Sequence, residues 1–185
     1  EDLSEEQSQV QALTFEATHD ALTGLINRRE FKRRLEQVLE TARSENAMHA
    51  VCFVDLDFFK DVNDSCGHAA GDECLIQMCD ILRTQRLGGD EFALILYYCP
   101  MDVAKQIAEQ LRRKVAAFTF HWHGQAFRLS ASIGLARLTG RHTDAERVLD
   151  AADQACYQAK EQGRNHVFVM GLEDESGELL NGTEL

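Results

Sequence analysis

The stretch Arg86-Leu87-Gly88-Gly89-Asp90-Glu91-Phe92, followed by the apolar run Ala93 to Leu96, decides how this chain is read. Two glycines let the backbone turn tightly and leave room for a ligand against the main chain. Two adjacent carboxylates, Asp90 and Glu91, sit at the tip of that turn. Strand-forming residues flank it on both sides, so the stretch reads as a hairpin that presents acids. Acids beside a bare backbone suit a magnesium-bound phosphate.

Further blocks lie on either side. Upstream are Phe53-Val54-Asp55-Leu56-Asp57-Phe58-Phe59-Lys60, then Asn63, then Gly67-His68-Ala69-Ala70-Gly71-Asp72; downstream is Lys160-Glu161-Gln162-Gly163-Arg164-Asn165. With the opening segment Asp20-Ala21-Leu22-Thr23-Gly24-Leu25-Ile26-Asn27-Arg28-Arg29, these blocks make the chain resemble the GGDEF family, the bacterial diguanylate cyclases, from about Thr18 to Val169. The resemblance implies the palm-like, ferredoxin-related sheet shared with nucleotide cyclases. It also implies a role in bacterial second-messenger signalling.

Composition narrows the field independently. A chain of 185 residues suggests one domain with a short extra segment at each end. A hydrophobic fraction of 44% is enough for a core. A net charge of -12 repels nucleic acid but leaves room for a nucleotide site served by a few local cations. No apolar run approaches the roughly 20 residues that span a bilayer, and no signal-peptide pattern opens the chain. The expected setting is cytoplasmic, without membrane contact by this segment, although a longer protein could be tethered. The six cysteines show no CxxC pair and read as small buried hydrophobes in a reducing compartment. His121 and His123 flank Trp122 in an expected strand and would share a face, which reads first as solvated and only second as a metal pair.

Residues 1–19 carry Leu3, Val10, Leu13 and Ala17 at roughly heptad spacing, the pattern of a helical signalling linker continuing from upstream. Amphipathic periodicity predicts helices over 28–44, 71–83, 103–117 (capped by Asp102) and 144–162. Strands are expected over 50–55, 92–98, 118–123, 126–136 and 166–170. This order argues for an α/β fold with a mixed sheet of about five strands flanked by helices. Residues 20–170 form the expected cyclase domain. Residues 171–185 read as an acidic linker, towards a further domain.

The site assembles from these blocks. Asp55 ends a buried strand, where a carboxylate needs a cation, and Asp90 at the hairpin tip can reach the same cation. With the Leu56 carbonyl they make a hard oxygen site for Mg²⁺ or Mn²⁺, and the resemblance implies the same trio. The competing reading is that Asp55 caps a helix and Asp90 shapes a turn. Glu91 should point away from Asp90, which argues against direct ligation but leaves it a catalytic or substrate role. For Asp57, structural and functional roles stand even. Backbone N–H groups over Phe58, Phe59 and Lys60 can cradle phosphate, beside Gly88 and Gly89. Lys160 and Arg164, four apart, should share a helix face, and the resemblance implies that they hold the terminal phosphates of GTP. The alternative is complementing the helix dipole. Asn63 and Asp72 would read guanine, whose N1–H and exocyclic amine suit a carboxylate acceptor; Asp72 could equally cap a helix after Gly71.

The resemblance implies that two GTP condense to cyclic di-GMP and two pyrophosphates. Asp90 would assist deprotonation of the attacking hydroxyl, with two domains facing each other in a homodimer. The alternative is a GTP-binding regulatory module controlling an attached domain such as a cyclic di-GMP phosphodiesterase. One departure stands out. The family's product-inhibition signature, Arg-x-x-Asp, is not matched by Cys79-Asp80-Ile81-Leu82, and only Arg83-Thr84-Gln85 separates Leu82 from Arg86. Either the chain lacks the family's loop, and with it the inhibition, or it is closed over a longer loop, which so short a reversal favours; the inhibitory site stays open.

Overall fold

The computed structural model describes residues 2–82, 85–141 and 144–170. In chain order the elements are α1 (Asp2–Thr18), α2 (Arg28–Glu45), β1 (His49–Asp57), α3 (Phe59–Cys66), α4 (His68–Leu82), β2 (Gln85–Gly88), β3 (Glu91–Leu96), α5 (Met101–Ala117), β4 (Thr119–Trp122), β5 (Gln125–Arg128), β6 (Ser130–Leu138), α6 (Ala145–Glu161) and β7 (His166–Met170). A five-stranded sheet runs β2-β3-β1-β6-β7, and β4 with β5 forms a separate hairpin. β1 pairs antiparallel with both β3 and β6, whereas β7 joins parallel to β6, so the sheet is mixed.

β1 is apolar on both faces because it lies between two helical layers. Its Ala50, Cys52, Val54 and Leu56 face a core shared with α3, α4 and α5. Its Val51 and Phe53 face a second core built by Phe31, Leu35 and Val38 of α2 and by Val148, Leu149 and Ala152 of α6. Alternation then carries Asp55 and Asp57 onto the same face as Val51 and Phe53, beside the end of α6. Asn27 caps α2, its side chain accepting from the Glu30 N–H at 3.0 Å. It also donates to the Ala17 carbonyl at 2.9 Å, which fastens the end of α1 to the domain.

Several sequence expectations are corrected here. The helix expected over 71–83 begins at His68, and a separate short helix, α3, precedes it, broken from it at Gly67 with φ 83°. Asp72 therefore lies inside α4 and caps nothing. α5 starts after Pro100, with Asp102 in its first turn rather than at its cap. β3 ends at Leu96, two residues short of the expected limit. The strand expected over 126–136 divides at Leu129 into β5 and β6. β4 stops at Trp122, and His123 turns with φ 46°, its ring stacked on Trp122 at 4.8 Å. His121 and His123 are thus not strand neighbours on one face. α4 ends at Leu82 and β2 opens at Gln85. The expected longer loop falls on residues 83–84, and the acidic linker on 171–185, both outside the described residues.

Candidate functional site

The site forms where β1 meets the β2–β3 hairpin and the end of α6. Gly89 turns the hairpin with φ 51°, a conformation in which a side chain would be strained. The Leu56 N–H donates to the Asp90 carbonyl at 3.2 Å, which docks the tip against the end of β1. A strand residue's N–H and C=O leave the same edge in an antiparallel ladder, so the Leu56 carbonyl also faces the tip. Asp55 pairs directly opposite Glu91, and directly opposite residues share a face. Alternation away from Asp90 therefore brings Glu91 to Asp55's side of the sheet. Glu91 also meets Arg28, at the start of α2, at 3.6 Å. Sequence reasoning missed Arg28 at the site, since no spacing rule joins positions so far apart.

Asp55 is the electrostatic centre. Only 17% of its side chain is exposed, and its Oδ2 pairs with Lys160 Nζ at 2.7 Å. Its Oδ1 is buried, and no described residue donates to it. Burial pushes the Asp55 carboxyl up to about 6; the Lys160 hydrogen bond opposes this, and the charges of Asp90 and Glu91 add to it. Burial likewise raises Glu91, helped by the charge of Asp153 and opposed by Arg28. Burial works to lower the Lys160 ammonium, but the hydrogen bond and charge of Asp55, with Asp90 and Asp57 behind it, raise it overall. This carboxylate cluster repels itself and is only partly neutralised by Lys160 and Arg28.

Asp57, two residues on, behaves in the opposite way. It is 2% exposed. Its Oδ2 accepts from Ser130 Oγ at 2.6 Å and from the Asn165 N–H at 3.0 Å, and its Oδ1 from Ser132 Oγ at 2.7 Å. β1 does not end at Asp55 but runs on to Asp57. Phe58 then turns with φ 66° into α3 and exposes its ring. No side chain caps α3. The first N–H groups of a helix have no partner within it, so those of Phe59 and Lys60 are directed outward at the end of β1.

α6 ends at Glu161, and Arg164 follows in a left-handed turn with φ 63°. Lys160 and Arg164 therefore do not share a helix face, as their spacing suggested. The turn instead carries Arg164 over the Phe58 ring, 5.9 Å from its centroid, while Lys160 reaches Asp55. Gly163 was the available signal, since a glycine just past a helix commonly ends it.

The expected base-reading pair lies further along. A Cβ at Gly71 would fall 1.8 Å from Asn63 Oδ1, so glycine is what lets α4 pack against Asn63 of α3. Asp72 follows at once in α4 and is exposed. Phe58, Lys60, Asn63 and Asp72 thus follow β1 along α3 and into α4, whereas Lys160 and Arg164 approach from α6.

Among the described residues, no three His, Cys, Asp or Glu side chains form a ready metal cage. Magnesium does not need one, because it keeps several waters and takes one or two carboxylates plus substrate phosphates. The orphaned Asp55 Oδ1, with the charges of Asp90 and Glu91 acting on it and the Leu56 carbonyl facing the hairpin tip, is the kind of oxygen set that fits such an ion.

Comparison with known proteins bears on the family and the fold. The family description "Diguanylate cyclase, GGDEF domain" matches residues 17–166. A probable diguanylate cyclase of Escherichia coli K12, DgcE, is 39% identical over 177 residues; the match covers 91% of this chain and 16% of that protein. An uncharacterized membrane protein of Staphylococcus aureus USA300 is 36% identical over 163 residues, covering 83% of this chain and 46% of that protein. The solved GGDEF domain of YfiN from Pseudomonas aeruginosa superposes with a TM-score of 0.75 at 34% identity, over 81% of this chain and 99% of that one. The coiled coil and GGDEF domain of DgcB from Caulobacter crescentus, solved with c-di-GMP, gives 0.84 at 24% identity over 91% and 93%, a likeness of fold alone. This chain thus spans well under two thirds of the length of the curated relatives named here. No helix among the described residues is long and apolar enough to cross a membrane.

Proposed function

Since this chain belongs to the GGDEF family of diguanylate cyclase domains, we propose that it condenses two GTP molecules into cyclic di-GMP and two pyrophosphates. The observation that carries this reading is the Asp55 carboxylate: buried, half-satisfied, crowded by Asp90 and Glu91, and held by the same lysine that a phosphate chain would engage. A group that stays ionised there needs a cation, and a nucleoside triphosphate brings one.

Asp55, the Leu56 carbonyl and Asp90 would hold Mg²⁺ or Mn²⁺, with Glu91 across the ladder from Asp55. Such an ion, when bound, neutralises phosphate charge and eases deprotonation of the 3′-hydroxyl. The chain's own groups do the rest. Lys160 and Arg164 bind the terminal phosphates, and the outward N–H groups over Phe58, Phe59 and Lys60 add donors to the same chain of phosphates. Gly88 and Gly89 leave the hairpin backbone bare for close approach. Asn63 and Asp72 accept from and donate to the guanine edge. Asp90 assists removal of the hydroxyl proton.

Each domain holds one GTP, so turnover requires two domains facing each other with antiparallel symmetry. α1 serves as the signalling linker that sets this pairing, and the domain works on the cytoplasmic side, where GTP and a reducing environment for its thiols are found. The test is product analysis after incubating a concentrated sample with GTP and Mg²⁺, beside Asp90→Ala. Cyclic di-GMP from the parent alone is expected, with activity per domain falling on dilution. Tight GTP binding without product, even when dimerisation is forced, would overturn the cyclase reading in favour of a regulatory module.

A further inference from the structure

Asp57 occupies a particular place. One carboxylate on β1 accepts from two β6 serines and from the backbone of the turn that follows α6. That turn is costly at Arg164: after Gly163 at φ 108° it stands at φ 63°, a region that side chains other than asparagine and aspartate seldom enter, whereas Asn165 at φ 45° is of a type that tolerates it. Two outside bonds hold it there. Asp57 takes the Asn165 N–H, and Arg112 of α5 donates to Asn165 Oδ1 at 3.0 Å, itself braced by Glu109. Strain of this kind persists only where the surroundings over-determine it, and it tends to be kept where a side chain must be aimed.

The bonds on Asp57 also join two groups of opposite charge. On its own strand lie Asp55 and Leu56; across the Asn165 bond lies the turn carrying Arg164, one turn beyond Lys160. Resting on the nucleotide reading above, we propose that Asp57 is a positioning residue for phosphate recognition: it fixes the distance between the acid end of β1 and the Gly163–Asn165 turn, so that Arg164 meets the triphosphate that the acid end receives. Asp57 touches no substrate. It acts through Arg164, which leans over the Phe58 ring next to Asp57 in sequence. Its two serines hold the carboxylate at a fixed rotation, so that one oxygen always faces the Asn165 N–H.

This separates from a purely structural role by a thermodynamic cycle. The probe is α,β-methylene-GTP, whose α–β bridge does not cleave, with Mg²⁺, measured by calorimetry on the parent, Asp57→Asn, Arg164→Met and the double variant. Asp57→Asn is expected to weaken the triphosphate about tenfold, yet change it less than twofold once Arg164 is gone, because residues acting as one unit are not additive. Affinity for guanosine, which has no phosphate, should be unchanged. In turnover the loss should appear in KM and recover at high GTP. Ser130→Ala, which frees the same carboxylate oxygen with less damage, should show a smaller loss with the same dependence on Arg164. Additive losses, or equal weakening of guanosine and triphosphate, would overturn the proposal while leaving the nucleotide reading intact. A parent that binds neither ligand would overturn that reading, and the proposal with it.

Discussion

Asp55 and Asp57 stand two residues apart on one face of β1, yet they belong to different regions of the molecule. Asp57 faces β6 and the turn after α6, and every donor it needs is protein. Asp55 faces the hairpin, where its neighbours are Asp90, Glu91 and Lys160, and one of its oxygens has no described donor. A buried carboxylate saturated by fixed donors serves as a fastening. A buried carboxylate left short of donors and set among like charges is unstable alone, and a cation would relieve it. The same residue type, strand and face thus divide into fastening and site by what surrounds them.

Four substitutions test that division, largest effect first. Asp55→Ala and Asp90→Ala should each lower cyclic di-GMP formation by about a thousandfold or more, since each removes an oxygen from the place where charge develops. Chromatographic product assay reads this, and retention of a tenth of parent activity by either variant would break the functional half of the comparison. Asp57→Ala should act on stability as well as on triphosphate affinity. It strands two hydroxyls and one N–H in a closed site, a loss of about 2–4 kcal/mol in urea unfolding, whereas Asp55→Ala should change metal-free stability by less than half as much. Equal losses would erase the distinction. Lys160→Met should weaken GTP about tenfold while tightening Mn²⁺ binding in the absence of nucleotide, because the lysine holds an Asp55 oxygen at 2.7 Å. Manganese paramagnetic resonance separates these effects, and looser metal binding would show that Lys160 supports the ion rather than standing in its place.

The limits of legibility fall along the same line. β1, α2 and α6 were readable because apolar residues repeat at strand and helix periods over long windows. The Asp90 hairpin was readable because glycines and acids lie within one short stretch. α3 escaped, being eight residues long with only Phe59 and Val62 buried, no side-chain cap, and an entry through Phe58 at positive φ. The opening turn of α4 escaped because Gly67 and Gly71 read as loop, whereas Gly71 is there for contact with Asn63. For Asp57, alternation alone left structural and functional roles even. What decides between them is Ser130 and Ser132, more than seventy residues away, and no local pattern pairs those strands. Arg28 against Glu91 is the same case. Local chemistry picks out candidate acids and cations, but only the sheet register shows which of them have partners.

The smallest expected effect is one of pH, and it bears on Asp55 alone. Its carboxyl is raised by burial from the ordinary 3.8 to about 6 in the folded protein. A proton is therefore held more tightly folded than unfolded, so protonation favours folding. The contribution is fully present below about pH 3.8 and is lost as pH rises through about 6. Partial exposure and Lys160 reduce it to the order of 1 kcal/mol. Other carboxylates titrate in the same window, so the informative quantity is a difference. In chelator, the stability of the parent relative to Asp55→Asn, which cannot ionise, should fall between pH 4 and 6.5 in urea unfolding. Magnesium added at pH 7 should recover part of the loss in the parent and none in the variant. A difference that stays flat, or grows with pH, would mean that Lys160 already satisfies the Asp55 charge. The two carboxylates of β1 would then both be fastenings, and the contrast between them would fail.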